Sequence, residues 1–377
     1  MNLTASDADD NAAERTITGL HEKVEKAWGD LDRQGYAVVP DVISGADVER
    51  IRTLFFDWFR KVFGDDPDLS RIGPHHIFKY HEVGGQAFMW LSRHMVAYVW
   101  EALWAYKTAK DRGEEDVDPA TLRESVFTAL DGACFIPASC RKKDRCWTHT
   151  DQSPRKRPGF RGLQGILALT SNSKRGLVVY PGSHLHHEAY GKTITDAEDS
   201  HFLRIRPSFL EHLRRDHGIV RTVVKVNAGS LVLWDSRTFH QNCYGPPGCK
   251  EARFVVYTSM DPVSSPANTL AQERKRVKYM NDRRTTAHTP APLRVNSKQP
   301  QTYGDKTLLI DYDALPEPPR VISDARKLAL VTGTLGKPTR QDRKKKRRRM
   351  RRRQPQSRIT SFFTEKTTTR AATTNES

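Results

Sequence analysis

Between Val126 and Met260 the chain runs as short apolar stretches cut by Gly, Pro, Ser and Asn, and this texture constrains the fold more than any other feature. Gly165-Ile166-Leu167-Ala168-Leu169, Gly176-Leu177-Val178-Val179-Tyr180-Pro181-Gly182, Val223-Val224-Lys225-Val226 and Gly229-Ser230-Leu231-Val232-Leu233-Trp234 are too short for buried helices, and turn residues bound them. Repeated at near-regular intervals, such strands predict an all-β barrel or double sheet. In that arrangement strands remote in sequence become neighbours, so side chains from several of them can line one cavity.

The flanks read as helices and connections. Gly35-Tyr36-Ala37-Val38-Val39-Pro40 is a short β-type run stopped by proline. Ser44 before Asp47 resembles a capping box, and Val48, Ile51, Leu54, Phe55, Trp58 and Phe59 follow at helical spacing. A second helix is predicted from Met89 to Lys110, its aromatic stripe serving the core. Phe202 to Asp216 reads as a charged helical insertion, and Arg274-Lys275-Arg276 lies on a further helix. The predicted organisation is a leader over 1–30, with a helical stretch near His21 to Trp28, one domain over 31–315, and a basic tail over 316–377 that is polar except for Val321 to Val331. With 377 residues the domain can bury a sizeable core, no stretch approaches the roughly 20 apolar residues of a membrane span, and the polar, acidic N-terminus is no secretory signal. Five cysteines without a C-x-x-C pair argue against a disulfide framework and for a reducing compartment. Cys140, Cys146, Cys243 and Cys249 match no zinc-module spacing.

The chemistry lies in His149-Thr150-Asp151 and, 89 residues after the aspartate, His240. Two imidazoles and one carboxylate form a facial triad, which holds Fe(II) on one face and leaves positions open for a cosubstrate and O2. The pair follows an apolar stretch, His240 closes a strand, and Arg253 opens the next strand, Phe254-Val255-Val256-Tyr257. His184, His186, His187 and His288 are rival ligands, and Arg237, close to His240, is an alternative cation to Arg253. His75-His76 and His81 read as solvated or core histidines. Trp147, Phe160, Phe239 and Tyr244 are candidate aromatic walls or core. A zinc hydrolase could use the same three ligands, but it would leave Arg253 without a task.

With these residues assembled, the chain resembles the phytanoyl-CoA dioxygenase (PhyH) family of Fe(II)/2-oxoglutarate-dependent oxygenases, over roughly residues 31 to 305. The resemblance rests on Gly35 to Pro40, the H-x-D at 149–151, Leu163-Gln164-Gly165, Pro181-Gly182-Ser183-His184, Trp234 to His240 and Arg253, in that order. It implies a mainly β fold with flanking helices: a double-stranded β-helix, or cupin-like jelly roll. It also implies iron on His149, Asp151 and His240, and 2-oxoglutarate as cosubstrate anchored by Arg253. A planar, bidentate guanidinium suits the far carboxylate of that diacid better than a lysine would. Inside the H-x-D, where relatives often carry a glutamine that touches the cosubstrate, this chain has Thr150.

The tail carries a second motif. Gln356-Ser357-Arg358-Ile359-Thr360-Ser361-Phe362-Phe363 fits Q-x-x-aliphatic-x-x-aromatic-aromatic and resembles the box that docks on the PCNA sliding clamp. One helical turn would present Ile359, Phe362 and Phe363 as an apolar plug, with Gln356 on a polar pocket. Just before it, residues 343–353 carry ten of the net +17 charges, leaving +7 on the rest. That run reads as a nuclear localisation signal, a DNA-backbone contact, or both. Three readings follow: a nuclear oxygenase acting on DNA or a chromatin component at replication sites; an oxygenase of a small-molecule or acyl substrate; and a non-catalytic clamp- and DNA-binding factor.

Overall fold

The computed structural model describes residues 19–65, 74–114 and 124–334. The clamp-type motif with Gln356, Ile359, Phe362 and Phe363, and the basic run before it, lie outside the described residues. Three helices pack on one side of the sheets: α1 (Leu20–Gln34), α2 (Gly45–Phe63) and α3 (Ala87–Asp111). The strands begin with β1 (Tyr36–Val39) and β2 (Ile77–Phe78), then β3 (Val126–Thr128), β4 (Ala133–Ile136), β5 (His149–Thr150), β6 (Leu163–Ala168) and β7 (Leu177–Val179). After the short helix α4 (His187–Gly191) come β8 (Leu203–Arg204), α5 (Pro207–His217), β9 (Thr222–Val223), β10 (Leu231–Asp235), β11 (His240–Asn242), β12 (Arg253–Tyr257) and β13 (Met260–Pro262). Helices α6 (Leu270–Asn281) and α7 (Asp324–Thr332) close the described chain. Among the described residues no helix is long and apolar enough to cross a membrane.

The strands form two main antiparallel sheets, ordered β1-β10-β6-β12-β4-β2 and β8-β5-β11-β7-β9, with β13-β3 as a small third. The fold is mainly β with flanking helices, two facing sheets of jelly-roll type, as the strand texture predicted. The continuous apolar run of β10 is explained by burial on both faces. Leu231 and Leu233 join the core under the helices, whereas Val232 and Trp234 join the apolar cluster between the sheets. β12 obeys the same alternation. Phe254 and Val256 face the helices, Val255 and Tyr257 face inward, and period 2 turns Arg253 inward with them. That inner layer is where the site forms.

The helical side is fixed by indole pins as well as area. Trp28 Nε1 donates to the Leu103 carbonyl (2.7 Å) and Trp104 Nε1 to that of Met260 (2.9 Å), so these two buried indole N–H groups are satisfied. Ser44 caps α2 by accepting from the Asp47 N–H, as its capping-box pattern predicted. The region 202–216 differs from expectation. Its start is the strand β8, which pairs with β5, and only from Pro207 does it become a helix. Proline at the first helical position sets that start. Helix α7 starts within the stretch singled out at Val321 to Val331 and ends one residue beyond it, and Arg276 of α6 donates to the Val331 carbonyl (2.9 Å), joining the two helices.

Candidate metal centre

β5 and β11 lie side by side, and their register pairs His240 directly with His149. Antiparallel partners on one face point the same way, so both imidazoles enter the cavity, their ring centres 4.4 Å apart. Each ring is oriented by its own chain two residues back. Nδ1 of His240 lies 2.9 Å from the Thr238 carbonyl, and Nδ1 of His149 3.3 Å from that of Trp147. A carbonyl can only accept, so Nδ1 carries the proton and Nε2 presents its lone pair inward. Asp151, just past β5, completes the set, with carboxylate oxygens 3.6 Å from His149 Nε2 and 3.3 Å from His240 Nε2. The three ligand atoms all lie within 4.8 Å of one another. Among the described residues this is the sole such cluster of His, Cys, Asp or Glu; Cys140, Cys146, Cys243 and Cys249 form none.

The electrostatics favour a neutral His149 and an ionised Asp151, the forms that bind a cation. Burial, reinforced by His240, pushes His149 down to about 3. Burial alone would raise the Asp151 carboxyl, but the neighbouring His149 and His240 rings outweigh it and hold the group well below the usual carboxylate range. Gln164, facing inward from β6, donates its Nε2 to Asp151 Oδ2 at 3.1 Å and orients the carboxylate.

The triad opens into a cavity of about 390 Å³ that also takes in Arg253, Trp147, Phe202, Tyr257 and His288. Arg253 is 1% exposed. Its Nη1 donates to Cys134 Sγ (3.2 Å), a weak acceptor, and its Nη2 has no partner. A buried guanidinium nitrogen without an acceptor costs about 1–3 kcal/mol unless an anion arrives. The donor set and this unmatched cation therefore fit a metal ion plus an anionic ligand in one cavity. Arg237, the alternative cation, is committed to Asp235 (2.6 Å).

The rival histidines are placed elsewhere or otherwise engaged. Nε2 of His184 lies 3.2 Å from the Asp32 carbonyl, Nε2 of His187 lies 2.9 Å from that of Gln152, and His186 packs on His217. His288 does line the cavity, but its Nδ1 is paired with Asp131. Burial lowers the affinity of His288 for a proton and Asp131 more than restores it, so its pKa is raised. Arg93, buried in α3, holds Asp131 in place by donating to its carbonyl (2.8 Å). Thr150 points out of the cavity. Its hydroxyl donates to the Ser236 carbonyl at 3.1 Å, tying β5 to the loop before His240. Of the four candidate aromatic walls, only Trp147 lines the cavity. Phe239 belongs to the core beneath α5, Phe160 packs on Trp28 and Trp104, and Tyr244 contacts His76. Phe202 is the wall the sequence reading missed: its ring lies 4.5 Å from His149 and is 52% exposed. An isolated phenylalanine in a charged stretch was the available signal.

No family model matches the chain. Among curated proteins it is 30% identical over 134 residues to "Ava biosynthesis cluster protein O" of Aspergillus versicolor, a match covering 32% of this chain and 42% of that protein. The chain thus matches less than half the length of that relative. Among solved structures it is similar to EctD from S. alaskensis with 2-oxoglutarate and 5-hydroxyectoine (16% identity, 64% of this chain and 76% of that one, TM-score 0.41). It is also similar to the epimerase SnoN with Fe3+, alpha ketoglutarate and nogalamycin RO (15%, 65% and 85%, TM-score 0.39). A hypothetical protein of Escherichia coli gives a TM-score of 0.49 at 15% identity, over 76% of this chain and 78% of that one. At scores below 0.5 these likenesses decide nothing about chemistry, which the His149, Asp151 and His240 cluster and the unmatched Arg253 must carry.

Proposed function

We propose that this chain is an Fe(II)- and 2-oxoglutarate-dependent oxygenase of the phytanoyl-CoA dioxygenase type. The observation that carries the reading is one cavity holding both a His-Asp-His cluster and a buried arginine with an unused donor. Two neutral imidazoles and one carboxylate leave a divalent ion with one net positive charge and open positions. Ferrous ion and 2-oxoglutarate with O2 supply oxidation of a C–H bond, with release of succinate and CO2. His149, Asp151 and His240 hold the metal, Gln164 orients the aspartate, and Arg253 receives the far carboxylate of the diacid. Ile166 and Trp234, also lining the cavity, keep the inner end apolar. The test is succinate release from the iron-loaded full-length protein, with metal uptake measured alongside. Both are expected to collapse in His149→Ala. Stoichiometric iron uptake with no 2-oxoglutarate binding would refute the oxygenase and favour a metal-dependent hydrolase; no metal uptake would favour the non-catalytic factor.

The tail supports a nuclear setting: residues 343–353 as an import signal, and Gln356, Ile359, Phe362 and Phe363 on the PCNA clamp, which would bring the enzyme to DNA or a chromatin component. A second reading, a small-molecule or acyl substrate, is favoured by the biosynthesis-cluster name of the Aspergillus relative. Replacing Phe362 and Phe363 by alanine separates the tail's part. Clamp pull-down is lost if the motif docks there. Purified turnover is unchanged if the tail sets location only.

A further inference from the structure

The opening of the cavity carries a charge pattern that metal and cosubstrate do not use. Lys79, Lys142, Lys143, Arg145, Arg204 and Arg294 are all exposed, and none has a carboxylate within ion-pair reach among the described residues. Lys79 and Arg294 line the cavity itself. Lys142, Lys143 and Arg145 line an adjoining hollow that shares His75 and Trp147 with it. Arg204 pairs with His149 across β5 and β8. The acids nearby are spent, Asp144 on Arg221, Asp131 on His288 and Asp151 in the triad. His75 senses this field: burial first, then Arg204, Lys79 and Lys142, push it down to about 4. Flat surfaces stand among the cations. His75 stacks on Trp147 with centres 3.7 Å apart, and Phe202 projects into solvent beside His149.

We propose that this opening receives the phosphate backbone of a single-stranded nucleic acid, one base entering the cavity past Phe202 toward the triad. The inference rests on the oxygenase reading and names its substrate class. Unpaired cations interleaved with aromatic faces are what strand binding uses, the cations tracking the backbone and the rings stacking bases. Six cations drawn from four separate segments exceed what the one or two phosphoryl groups of a nucleotide can engage. Chemistry on a base requires that base outside the stack, which a strand without a complement offers at the least cost.

The test is fluorescence anisotropy with a labelled single-stranded oligodeoxynucleotide. The protein is the full-length chain with the basic residues of 343–353 changed to glutamine, which silences the tail. If each of the six cations neutralises a phosphate, the slope of log affinity on log salt is roughly −4; the triple variant K142E/K143E/R145E halves it to roughly −2. We expect that variant to bind at least tenfold more weakly, and Phe202→Ala to bind about tenfold more weakly at unchanged salt slope. Affinity within twofold of the parent in both variants overturns the proposal. So does a nucleoside monophosphate or an acyl-CoA competing as well as the oligonucleotide at equal phosphate concentration. Calorimetry of 2-oxoglutarate binding to the manganese-loaded protein separates the two ideas. Its loss in the parent refutes the oxygenase, while oligonucleotide binding with the expected slope still upholds the strand site.

Discussion

Arg253→Met should make the protein more stable and its cosubstrate binding worse. The guanidinium is 1% exposed, its Nη2 lacks an acceptor, and Nη1 has only the Cys134 thiol. Methionine retains most of the apolar stem, so the substitution removes an uncompensated buried donor worth about 1–3 kcal/mol and loses at most about 1 kcal/mol from the thiol contact. The net gain of about 0–3 kcal/mol corresponds to a Tm rise of up to about 12 °C for a domain of this size. Against that, truncating one partner of a buried, hydrogen-bonded charge pair costs about 2–5 kcal/mol, so the Kd for 2-oxoglutarate should rise from about 30-fold to several thousand-fold. Thermal unfolding of manganese-loaded protein reads both effects. At a 2-oxoglutarate concentration of about 100 times the parent's Kd the ligand adds about 2.7 kcal/mol to the parent, and under about 1 kcal/mol to the variant. A lower Tm with an undiminished ligand-induced rise would show Arg253 to be a structural cation, and the cosubstrate assignment would fail.

Gln164→Leu, by freeing the Asp151 carboxylate, should lower metal affinity by about 10- to 100-fold at nearly unchanged Tm, measured by competitive metal titration; unchanged affinity would remove Gln164 from the site. Gly165→Ala places a Cβ 2.5 Å from Trp100, an indole with no exposed surface to retreat to, and should cost about 1–3 kcal/mol in denaturant unfolding; a neutral result would show that α3 shifts freely. Burial raises the Glu251 carboxyl, but N–H groups of Arg175, Lys174 and Ser173 outweigh it and hold it down to about 2. A depressed carboxylate stabilises above its unfolded value and loses that contribution as pH falls from about 4.5 to about 2. Glu251→Gln should therefore unfold earlier than the parent at pH 7, by about 1 kcal/mol after solvent screening, with the gap closing in that window; a gap constant with pH would contradict the assignment.

The sequence showed the inner sheet well because its signal is local. Strands buried on both faces must be apolar throughout, and the few polar residues among them, Gln164, Asp235 and Arg253, are conspicuous for that reason. The His-Asp-His cluster was legible because H-x-D places two side chains on one face of a strand, and the histidine that follows the next apolar run supplies the third, although it opens β11 rather than closing β10 as its sequence position suggested. Three features were not. Asp131 and His288 are 157 residues apart, and their pairing depends on Arg93 and the 284–296 segment folding over the cavity. Phe202 gains meaning only because β8 pairs with β5. The role of Thr150 is set by a tertiary partner, Ser236, and no spacing rule could have announced it.

β5 is only two residues long, yet it carries one of the two imidazoles and borders the strand that carries the other. A slip of one position would turn that ring to the opposite side of the pleat, and no ion could bridge what remained. Metal loading would thus double as a rivet between backbones just over ninety residues apart, and as a proofreading step that accepts only the correctly zipped sheet. Protein purified from metal-starved cells should accordingly fray first at β5, with its amides exchanging with solvent before those of the neighbouring six-stranded layer.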